Sequence, residues 1–314
     1  MSVIETKSAS VLDAIGQTPI VQLRSVIPPG AGRVFLKLEY FNPTGSYKDR
    51  MALAIIEGAE RRGTLRPGMR VIEYTGGSTG SSLAMVCAVK GYRFTPVSSD
   101  AFAREKLETM RAFGADLILV ESEAGRITPA LFDRMKAELA RQAAQPGVFF
   151  TDQFHNADAI EGYRSIGREL LAQLESGITA FCGAVGTAGM LVGVSRELKS
   201  AGCAANVVAL EPAESPTLTT GQGGPHRVEG IGVGFRPPFL QPGDYDEVRV
   251  VEESPARAMA RRLAREQGIL AGTSTGLNVE AAVRLAVELG EGATVVTVAC
   301  DTGLKYLHSG LYSG

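Results

Sequence analysis

VIEYTGGSTGSSLAMVCAVKGY, residues 71–92, joins a short apolar run to a helix-like stretch through a loop of glycine and hydroxyl residues. The same order recurs in ITAFCGAVGTAGMLVGVSRELKSAG at 178–202, and ATVVTVACDTG at 293–303 closes the pattern. The apolar runs are short and uninterrupted, which is typical of strands covered on both faces of a sheet. Strands that alternate with helices in this way predict an α/β fold with parallel sheets and crossover helices.

This alternation continues through most of the chain. Strands are predicted from the runs YRFTPVSS at 92–99, ADLILVE at 115–121 and VVALEP at 207–212. Helices are predicted near 49–62, 102–112, 127–144, 160–175, 255–267 and 277–289. The segment QAAQPG at 142–147 has the glycine and proline of a connection, and we interpret it as the link between two halves of the chain.

Composition and charge favour a globular protein that acts on small molecules. The 314 residues are 45% hydrophobic and 21% charged, which suffices for two modest domains with substantial cores. A formal net charge of −2 gives no strong field to attract nucleic acid or an anionic membrane. No apolar run approaches the roughly 20 residues of a membrane span, and the N-terminus lacks a signal-peptide pattern. We therefore expect a cytoplasmic protein without nucleic-acid or membrane partners.

Cysteine and histidine spacing predicts no metal site. Cys87, Cys182 and Cys300 stand in apolar segments, where a buried small side chain is the ordinary interpretation. The histidines are scattered, and none has a cysteine at metal-ligand spacing.

Lys48 follows the turn-forming residues Asn42–Gly45 and stands where a helix begins. The positive end of a helix disfavours an ammonium group, so this position helps to lower a lysine pKa. A lowered pKa suits an amine that must form an imine, but Lys48 taken alone is better explained as a solvated surface lysine, because most lysines are.

Three glycine- and hydroxyl-rich loops each stand between an apolar run and a helix: Thr75–Gly80, Gly183–Met190 and Ala271–Gly276. Backbone N–H groups at a helix N-terminus bind phosphate or carboxylate, but a tight turn or a simple helix cap has the same appearance. The second loop offers a further alternative, because Glu211 follows it at the distance of the ribose-binding acid in a dinucleotide-binding unit. Its glycine spacing is G-x-x-G-x-x-G rather than G-x-G-x-x-G.

Taken in order, eight segments resemble the cysteine synthase (O-acetylserine sulfhydrylase) and cystathionine β-synthase family of fold-type II pyridoxal-phosphate (PLP) enzymes. They are LDAIGQTPIVQL at 12–23, LKLEYFNPTGSYKDR at 36–50, EYTGGSTG at 73–80, DQFHNADAIEGY at 152–163, GAVGTAGM at 183–190, EPAESPTL with VEGIGVGF at 211–218 and 228–235, GTSTG at 272–276 and DTGLKYL at 301–307.

The resemblance implies a role for each matching position. Lys48 would hold PLP as a Schiff base and act as the catalytic base. The other implied cofactor contacts are Ser78, Gly186, Thr187, Ala188, Gly189, Met190 and Ser274, with Ser274 at the pyridine nitrogen. The implied substrate contacts are Thr75, Gly76, Gly77, Ser78, Thr79, Gln153, Gly230 and Gly232. The last two would line the mouth of the active site.

The resemblance also implies the architecture and the reaction. We expect two α/β domains of the tryptophan synthase β type, with PLP in the cleft between them. The larger domain would comprise 1–39 and 147–314, and the smaller one 40–146 with the substrate-carboxylate loop. The implied reaction is β-replacement on an O-activated L-serine, most simply O-acetylserine and sulfide giving L-cysteine and acetate through an aminoacrylate. A homodimer is implied as well.

Several residues depart from the family pattern and leave the substrates open. Gly76 stands in place of a serine, and Ser78 in place of an asparagine that contacts cofactor and substrate. In the phosphate loop, Ala188 replaces a glycine and Met190 a threonine, so the loop is preserved only if residue 188 needs no positive φ. The alternatives are synthesis of cystathionine, cyanoalanine or 2,3-diaminopropionate, β-elimination, and O-phosphoserine or serine as donor. A non-catalytic relative is less compatible with the retained Lys48.

Overall fold

The structure is a computed structural model that describes residues 9–126 and 128–313. The helices are α1 Lys48–Arg61, α2 Ser78–Lys90, α3 Arg104–Ala112, α4 Pro129–Ala143, α5 Asp158–Gln173, α6 Gly189–Ser200, α7 Thr217–Thr220, α8 Glu253–Gln267 and α9 Thr273–Leu289. The strands are β1 Ile20–Gln22, β2 Arg33–Lys37, β3 Arg70–Tyr74, β4 Arg93–Ser99, β5 Ile118–Val120, β6 Val148–Phe150, β7 Ala180–Ala184, β8 Asn206–Pro212, β9 Glu247–Val251 and β10 Thr294–Val298. Short 3₁₀ helices lie at Val11–Ala14, Glu39–Phe41 and Gly303–Tyr306.

The strands form two twisted sheets. A six-stranded sheet has the order β1-β2-β10-β7-β8-β9, and a four-stranded sheet has the order β5-β4-β3-β6. β1 runs antiparallel to β2, while the other described pairs are parallel. The predicted α/β class with helix-flanked parallel sheets is therefore confirmed.

The continuous apolar character of the central strands follows from burial on both faces. Cys182 and Val295 pack into one hydrophobic cluster, whereas Phe181 and Val296 pack into another on the opposite face of the six-stranded sheet. Because successive side chains point to opposite faces, a strand covered on both sides shows no polar alternation. The apolar runs in the sequence are the direct consequence.

The segment 142–147, interpreted from sequence as the link between halves, lies between two elements that both pack in or on the four-stranded sheet. This segment connects α4 to β6, and β6 pairs in parallel with β3 inside the four-stranded sheet. A three-residue strand with one neighbour carries too little pattern to be recognised from sequence. The predicted division into 1–39 with 147–314 and 40–146 stays a prediction, and sheet membership favours a boundary beyond Phe150. Residues 1–8 of that division lie outside the described residues.

The fold brings the predicted loops to the carboxyl ends of the strands, where parallel sheets bind ligands. β3 leads into the loop before α2, and β7 leads into the loop before α6. The segment before α1 is fixed beside the segment after β10, since Tyr47 N donates to Cys300 O at 3.0 Å and Thr302 N to Gly45 O at 2.9 Å. Residues far apart in sequence thus converge on Lys48.

Candidate active site

Lys48 is the first residue of α1 and is 93% buried, with 7% of its surface exposed. Asp49 organises the turn that precedes it: its carboxylate accepts hydrogen bonds from Thr44 N at 2.8 Å and Thr44 Oγ1 at 2.5 Å. Burial lowers the pKa of Lys48 to about 8, although the nearby charge of Asp301 opposes the shift. The amine is thus neutral in a large fraction of molecules near pH 8, as an imine-forming lysine requires.

Two tyrosine rings border the Lys48 amine. Its Nζ lies 4.9 Å from the ring centroid of Tyr47 and 5.9 Å from that of Tyr163. Tyr163 is fully buried, and its hydroxyl has no hydrogen-bond partner among the described residues. A buried unpaired hydroxyl is costly, so this position is suited to a polar ligand.

Asp301 forms the other side of the Lys48 environment, and sequence analysis missed it. Its Oδ1 accepts a hydrogen bond from Ser46 Oγ at 2.5 Å, while Oδ2 accepts from Ser78 Oγ at 2.5 Å and from Tyr306 OH at 3.0 Å. Burial disfavours the charge, but the cations Lys305 and Lys106, together with the hydrogen bonds from Ser46 and Ser78, lower the pKa of this carboxyl. Ser78, which takes the place of the family's asparagine, is therefore turned onto a buried carboxylate.

The loop predicted to hold the substrate carboxylate is braced by its own side chains and by Gln153. Gly77 N donates to Thr75 Oγ1 at 3.1 Å, and Thr79 Oγ1 donates to Gln153 Oε1 at 2.8 Å. The Gln153 amide is held in turn, since its Nε2 donates to Tyr74 O at 3.3 Å. The structure thus brings together the loop and the glutamine that sequence analysis grouped; their substrate contacts stay a prediction.

Gly76 and Gly77 leave room for two side chains from the other side of the loop. A Cβ built on Gly76 would lie 2.5 Å from the Phe102 ring, and one on Gly77 would lie 2.6 Å from Lys106 Cδ. The departure at Gly76 is thereby explained, because the Phe102 ring occupies the space that a serine side chain needs.

Glu73 is a buried acid beside this loop that sequence analysis also missed. Its Oε2 accepts hydrogen bonds from Thr151 Oγ1 at 2.6 Å and Gln153 N at 3.1 Å. Burial raises the pKa of Glu73 to about 7 despite these hydrogen bonds. The sequence did contain a signal for this buried acid, namely a glutamate near the end of an otherwise apolar strand.

The predicted phosphate loop connects β7 to α6. Gly186 packs so closely on the mouth segment that an added Cβ would lie 2.4 Å from Gly230 O, and a Cβ on Gly189 would lie 3.2 Å from the Tyr163 ring. Ala188 has φ of +67°, so the position does require positive φ, which is uncommon for alanine. The methyl group is nevertheless accommodated in the core. Met190 fills the space beside Gly183.

Gly230 and Gly232 belong to a segment that is tied to the phosphate loop. Both have positive φ, of 84° and 60°, and Gly232 N donates to Val185 O at 3.1 Å. The segment 228–235 therefore lies beside the loop that opens α6. Their place at the mouth of the active site and their contact with substrate both stay predictions.

Ser274 lies within the first turn of α9, which begins at Thr273 rather than near 277. The Ser274 hydroxyl lies beside the Cys300 thiol, whose pKa is raised by burial to about 12. The neighbouring Thr273 hydroxyl is buried and has no hydrogen-bond partner in the described parts of the chain. Two hydroxyls at a helix start provide uncharged partners for a ligand.

Glu211 does not form part of a dinucleotide site. Its carboxylate accepts hydrogen bonds from Leu218 N at 2.6 Å, Thr219 N at 3.0 Å and Thr219 Oγ1 at 2.5 Å. These bonds cap the short helix α7, so the buried acid has a structural role. Cys87, Cys182 and Cys300 are buried as expected. Within residues 9–126 and 128–313, no group of three or more potential metal ligands occurs. In the same ranges, no helix has the length and apolarity of a membrane span.

Fold and site together define the class of protein. The model of the family described as pyridoxal-phosphate dependent enzyme matches residues 11–301, and the chain belongs to this family. The cysteine synthase of Staphylococcus aureus (strain Mu50) is 43% identical over 309 residues, covering 97% of each chain. The O-ureido-L-serine synthase of Streptomyces lavendulae is 38% identical over 311 residues, covering 97% of this chain and 93% of that one.

A solved structure supports the same placement. The cysteine synthase of Entamoeba histolytica has a TM-score of 0.93 to this chain at 33% identity, covering 100% of this chain and 93% of that one. The protein is therefore a PLP-dependent enzyme of fold type II, similar to cysteine synthases and O-ureido-L-serine synthase. The alternative interpretation of the second loop and Glu211 as a dinucleotide-binding unit is left without support.

The described residues fit PLP at its aldehyde and its phosphate. An amine of lowered pKa suits its aldehyde, and the N–H groups that open α6, with the Thr187 hydroxyl, suit its phosphate. The Tyr163 ring lies beside both Lys48 Nζ and Gly189, and its buried hydroxyl lacks a partner among the described residues.

Proposed function

We propose that the enzyme performs β-replacement on an O-activated L-serine, with O-acetylserine and sulfide as substrates and L-cysteine and acetate as products. The observation that carries the proposal is the lowered pKa of the Lys48 amine. Asp301 lies near this amine and also accepts a hydrogen bond from Ser78 in the hydroxyl-rich loop 75–79. The similarity to cysteine synthases supports this choice of reaction.

Each part of the site has a task in this reaction. PLP, when bound, supplies an electron sink for the pair of electrons left at the substrate Cα. Lys48 would hold the cofactor, remove the Cα proton and later return it, which requires an amine that is neutral near physiological pH. The loop N–H groups and Gln153 would orient the substrate carboxylate. Gly186–Met190 would bind the cofactor phosphate.

Ser274 supplies a neutral hydroxyl group and no negative charge. We propose that its hydroxyl faces the pyridine nitrogen, as the family resemblance implies. A hydroxyl does not stabilise a protonated ring nitrogen as a carboxylate does, so the electron sink stays moderate. Elimination and replacement at the β-carbon are thereby favoured over transamination.

A different β-substitution is the second candidate. It is favoured by Ser78, whose hydroxyl is directed to Asp301 rather than presented as an asparagine amide. The similarity to O-ureido-L-serine synthase points the same way. O-Phosphoserine or serine as donor, and cystathionine, cyanoalanine or diaminopropionate as product, belong to this candidate. A cytoplasmic homodimer remains our proposal for location and assembly.

The deciding experiment is an assay of L-cysteine formed by the holoenzyme from O-acetyl-L-serine and sulfide. We expect turnover with the wild type and a loss of about 10³-fold or more with Lys48→Ala, which removes the base. Lys90→Ala is the matched control, since this lysine pairs with Glu60 on the protein surface and its loss should leave turnover intact. A PLP-loaded enzyme that releases no L-cysteine, but reacts when the donor or nucleophile is changed, would establish the second candidate.

A further inference from the structure

Lys106 is a buried lysine on α3 that none of the predicted roles uses. Only 5% of its surface is exposed. A Cβ built on Gly77 would lie 3.4 Å from its Nζ, which places the ammonium directly against the loop predicted to hold substrate. Its Nζ also lies 4.6 Å from the ring centroid of Tyr306, whose hydroxyl donates to Asp301. Lys106 therefore adjoins the loop 75–79 and shares Asp301 as a charged neighbour with Lys48.

The counter-ion of Lys106 comes from the segment 228–235, which lies 123 residues further along the chain. Glu229 Oε2 contacts Lys106 Nζ, and this glutamate precedes Gly230 in the segment that borders the phosphate loop. The two side chains differ sharply in burial, because Glu229 is 36% exposed whereas Lys106 is 5% exposed. Glu229 can rotate into water at little cost, while Lys106 must keep an anionic partner.

A second buried ammonium increases that need. Lys305 is 9% exposed, and its Nζ makes no hydrogen bond within the described ranges. Its charge is attracted by Asp301 and Asp49 and repelled by Lys106. The ammonium of Lys106, beside the loop 75–79, is therefore paired with Glu229. Glu229 is the more exposed member of this ion pair and so the more easily exchanged for another anion.

We propose that Lys106 is a substrate-binding residue that takes an anionic group carried in addition to the α-carboxylate, with Glu229 as its exchangeable counter-ion. The group is a phosphate on the donor or a carboxylate on the nucleophile. The inference rests on the proposed β-replacement chemistry and, within it, favours the second candidate, because neither O-acetylserine nor sulfide carries such a phosphate or carboxylate. An incoming anion would displace Glu229 and form a charge-assisted hydrogen bond with an already buried cation.

The test compares matched substrates that differ in charge. O-Acetyl-L-serine and O-phospho-L-serine are the donor pair, and 2-mercaptoethanol and mercaptoacetate are the nucleophile pair, each assayed with the holoenzyme. For Lys106→Met we expect KM for the anionic member of at least one pair to rise about tenfold to a hundredfold relative to its neutral partner. Lys106→Arg should retain the wild-type ratio, because it keeps the charge.

Glu229→Gln provides the reciprocal test and alters an exposed side chain, so it does not depend on the folding of the Lys106 variants. Removal of the competing carboxylate should lower the anionic-to-neutral KM ratio severalfold. The cofactor absorbance, titrated with each donor in the absence of nucleophile, gives apparent dissociation constants that are independent of turnover. The same ratios should change in the same directions for the donor pair if the phosphate is the bound group.

Each remaining outcome overturns the inference. An equal loss for neutral and anionic substrates in Lys106→Met would assign the lysine to the α-carboxylate or to loop structure. Unchanged ratios in both Lys106→Met and Glu229→Gln would assign the ion pair to a structural role alone. Failure of the proposed function is separate, since it appears as absence of β-replacement with every donor in the wild-type enzyme.

Discussion

At the scale of single residues, the reactivity of Lys48 is set by a balance between burial and charge. Burial lowers its pKa, while Asp301, then Cys300 and Glu73, act to raise it. Asp301 is itself held as a carboxylate by nearby lysines and by two serine hydroxyls. The departure at Ser78 is thus part of the electrostatics of the catalytic lysine, as well as a change in a substrate contact.

Asp301→Asn should lower the pKa of Lys48 below about 8. The substitution removes the negative charge that most stabilises the ammonium form, so the amine loses its proton at lower pH. We expect the rate of PLP uptake by the apoenzyme, followed by cofactor absorbance, to rise with pH around a midpoint near 8 in the wild type. The midpoint should lie lower in Asp301→Asn.

Glu73→Gln serves as the graded comparison, because Glu73 contributes less than Asp301 to the Lys48 pKa. Its midpoint should fall between those of the wild type and Asp301→Asn. An upward shift in Asp301→Asn, or a wild-type midpoint near 10.5, would contradict the proposed balance.

Lys48 could be found from sequence, whereas Asp301 and Lys106 could not. Lys48 stands in a local motif with its turn and helix start, and such motifs survive without a structure. The contacts of Asp301 with Ser46 and Ser78 span 255 and 223 residues. They arise only when the segments after β10 and β3 are brought beside the segment before α1, which no local pattern encodes.

At the scale of elements, the phosphate loop has a conformation better suited to glycine than to its actual residue. Ala188 caps the start of α6 with φ of +67° and ψ of −11°, in the left-handed region. For a residue with a Cβ this conformation costs about 1–2 kcal/mol. The sequence showed that an alanine stands at position 188 and that the sign of its φ would matter. The value of φ could not be predicted, because it depends on how the loop packs against Gly230 and Tyr163.

Ala188→Gly should increase the free energy of unfolding by about 0.5 kcal/mol. Relief of the left-handed strain outweighs the extra chain entropy of glycine, which is roughly 0.5–1 kcal/mol. Ala282→Gly is the matched control, since Ala282 is equally buried but lies within the regular helix α9. It should lower stability by about 1 kcal/mol or more. Urea denaturation of both variants measures the difference, and equal losses in both would contradict the strain at 188.

At the scale of the whole molecule, the class of fold could be predicted from the sequence. The point at which the chain leaves the four-stranded sheet could not. The alternation of strands and helices could be recognised in the sequence because buried parallel strands are apolar on both faces. β6 was missed because three residues with one neighbour carry no distinct pattern, and its pairing with β3 is known only from the fold. The proposed anion-binding pair was missed for a related reason, since Lys106 and Glu229 are 123 residues apart and meet only in the fold.

A buried charge network connects α1, which begins with Lys48, to the six-stranded sheet and to α5. Arg50 donates to Glu39 from Nε at 2.7 Å and from Nη2 at 2.9 Å, and to Glu169 from Nη1 at 2.6 Å. Lys37 on β2 completes it, with Nζ 2.6 Å from Glu169. The network fixes the orientation of α1 relative to β2, and therefore the position of the catalytic lysine.

Burial favours the protonated form of Glu169, but Arg50 and Lys37 outweigh it and lower its pKa to about 2. For an acid whose pKa is lower in the folded state, the stabilisation is present above the unfolded value near 4.5. It is lost as pH falls from there towards 2. The network should therefore weaken in acid, and α1 should loosen with it.

Arg50→Met should lower the free energy of unfolding by about 3–5 kcal/mol, because it leaves the fully buried Glu39 carboxylate without its cation. The double variant Arg50→Met with Glu39→Gln removes the unpaired charge and should recover part of the loss. Urea unfolding of the holoenzyme at one fixed PLP concentration measures both, since bound cofactor itself stabilises the folded state. Glu39→Gln alone is measured in the same way, and if the double variant loses as much as the sum of the two single substitutions, Arg50 and Glu39 act independently. The position of Lys48 would then depend on apolar packing of α1 rather than on the charge network.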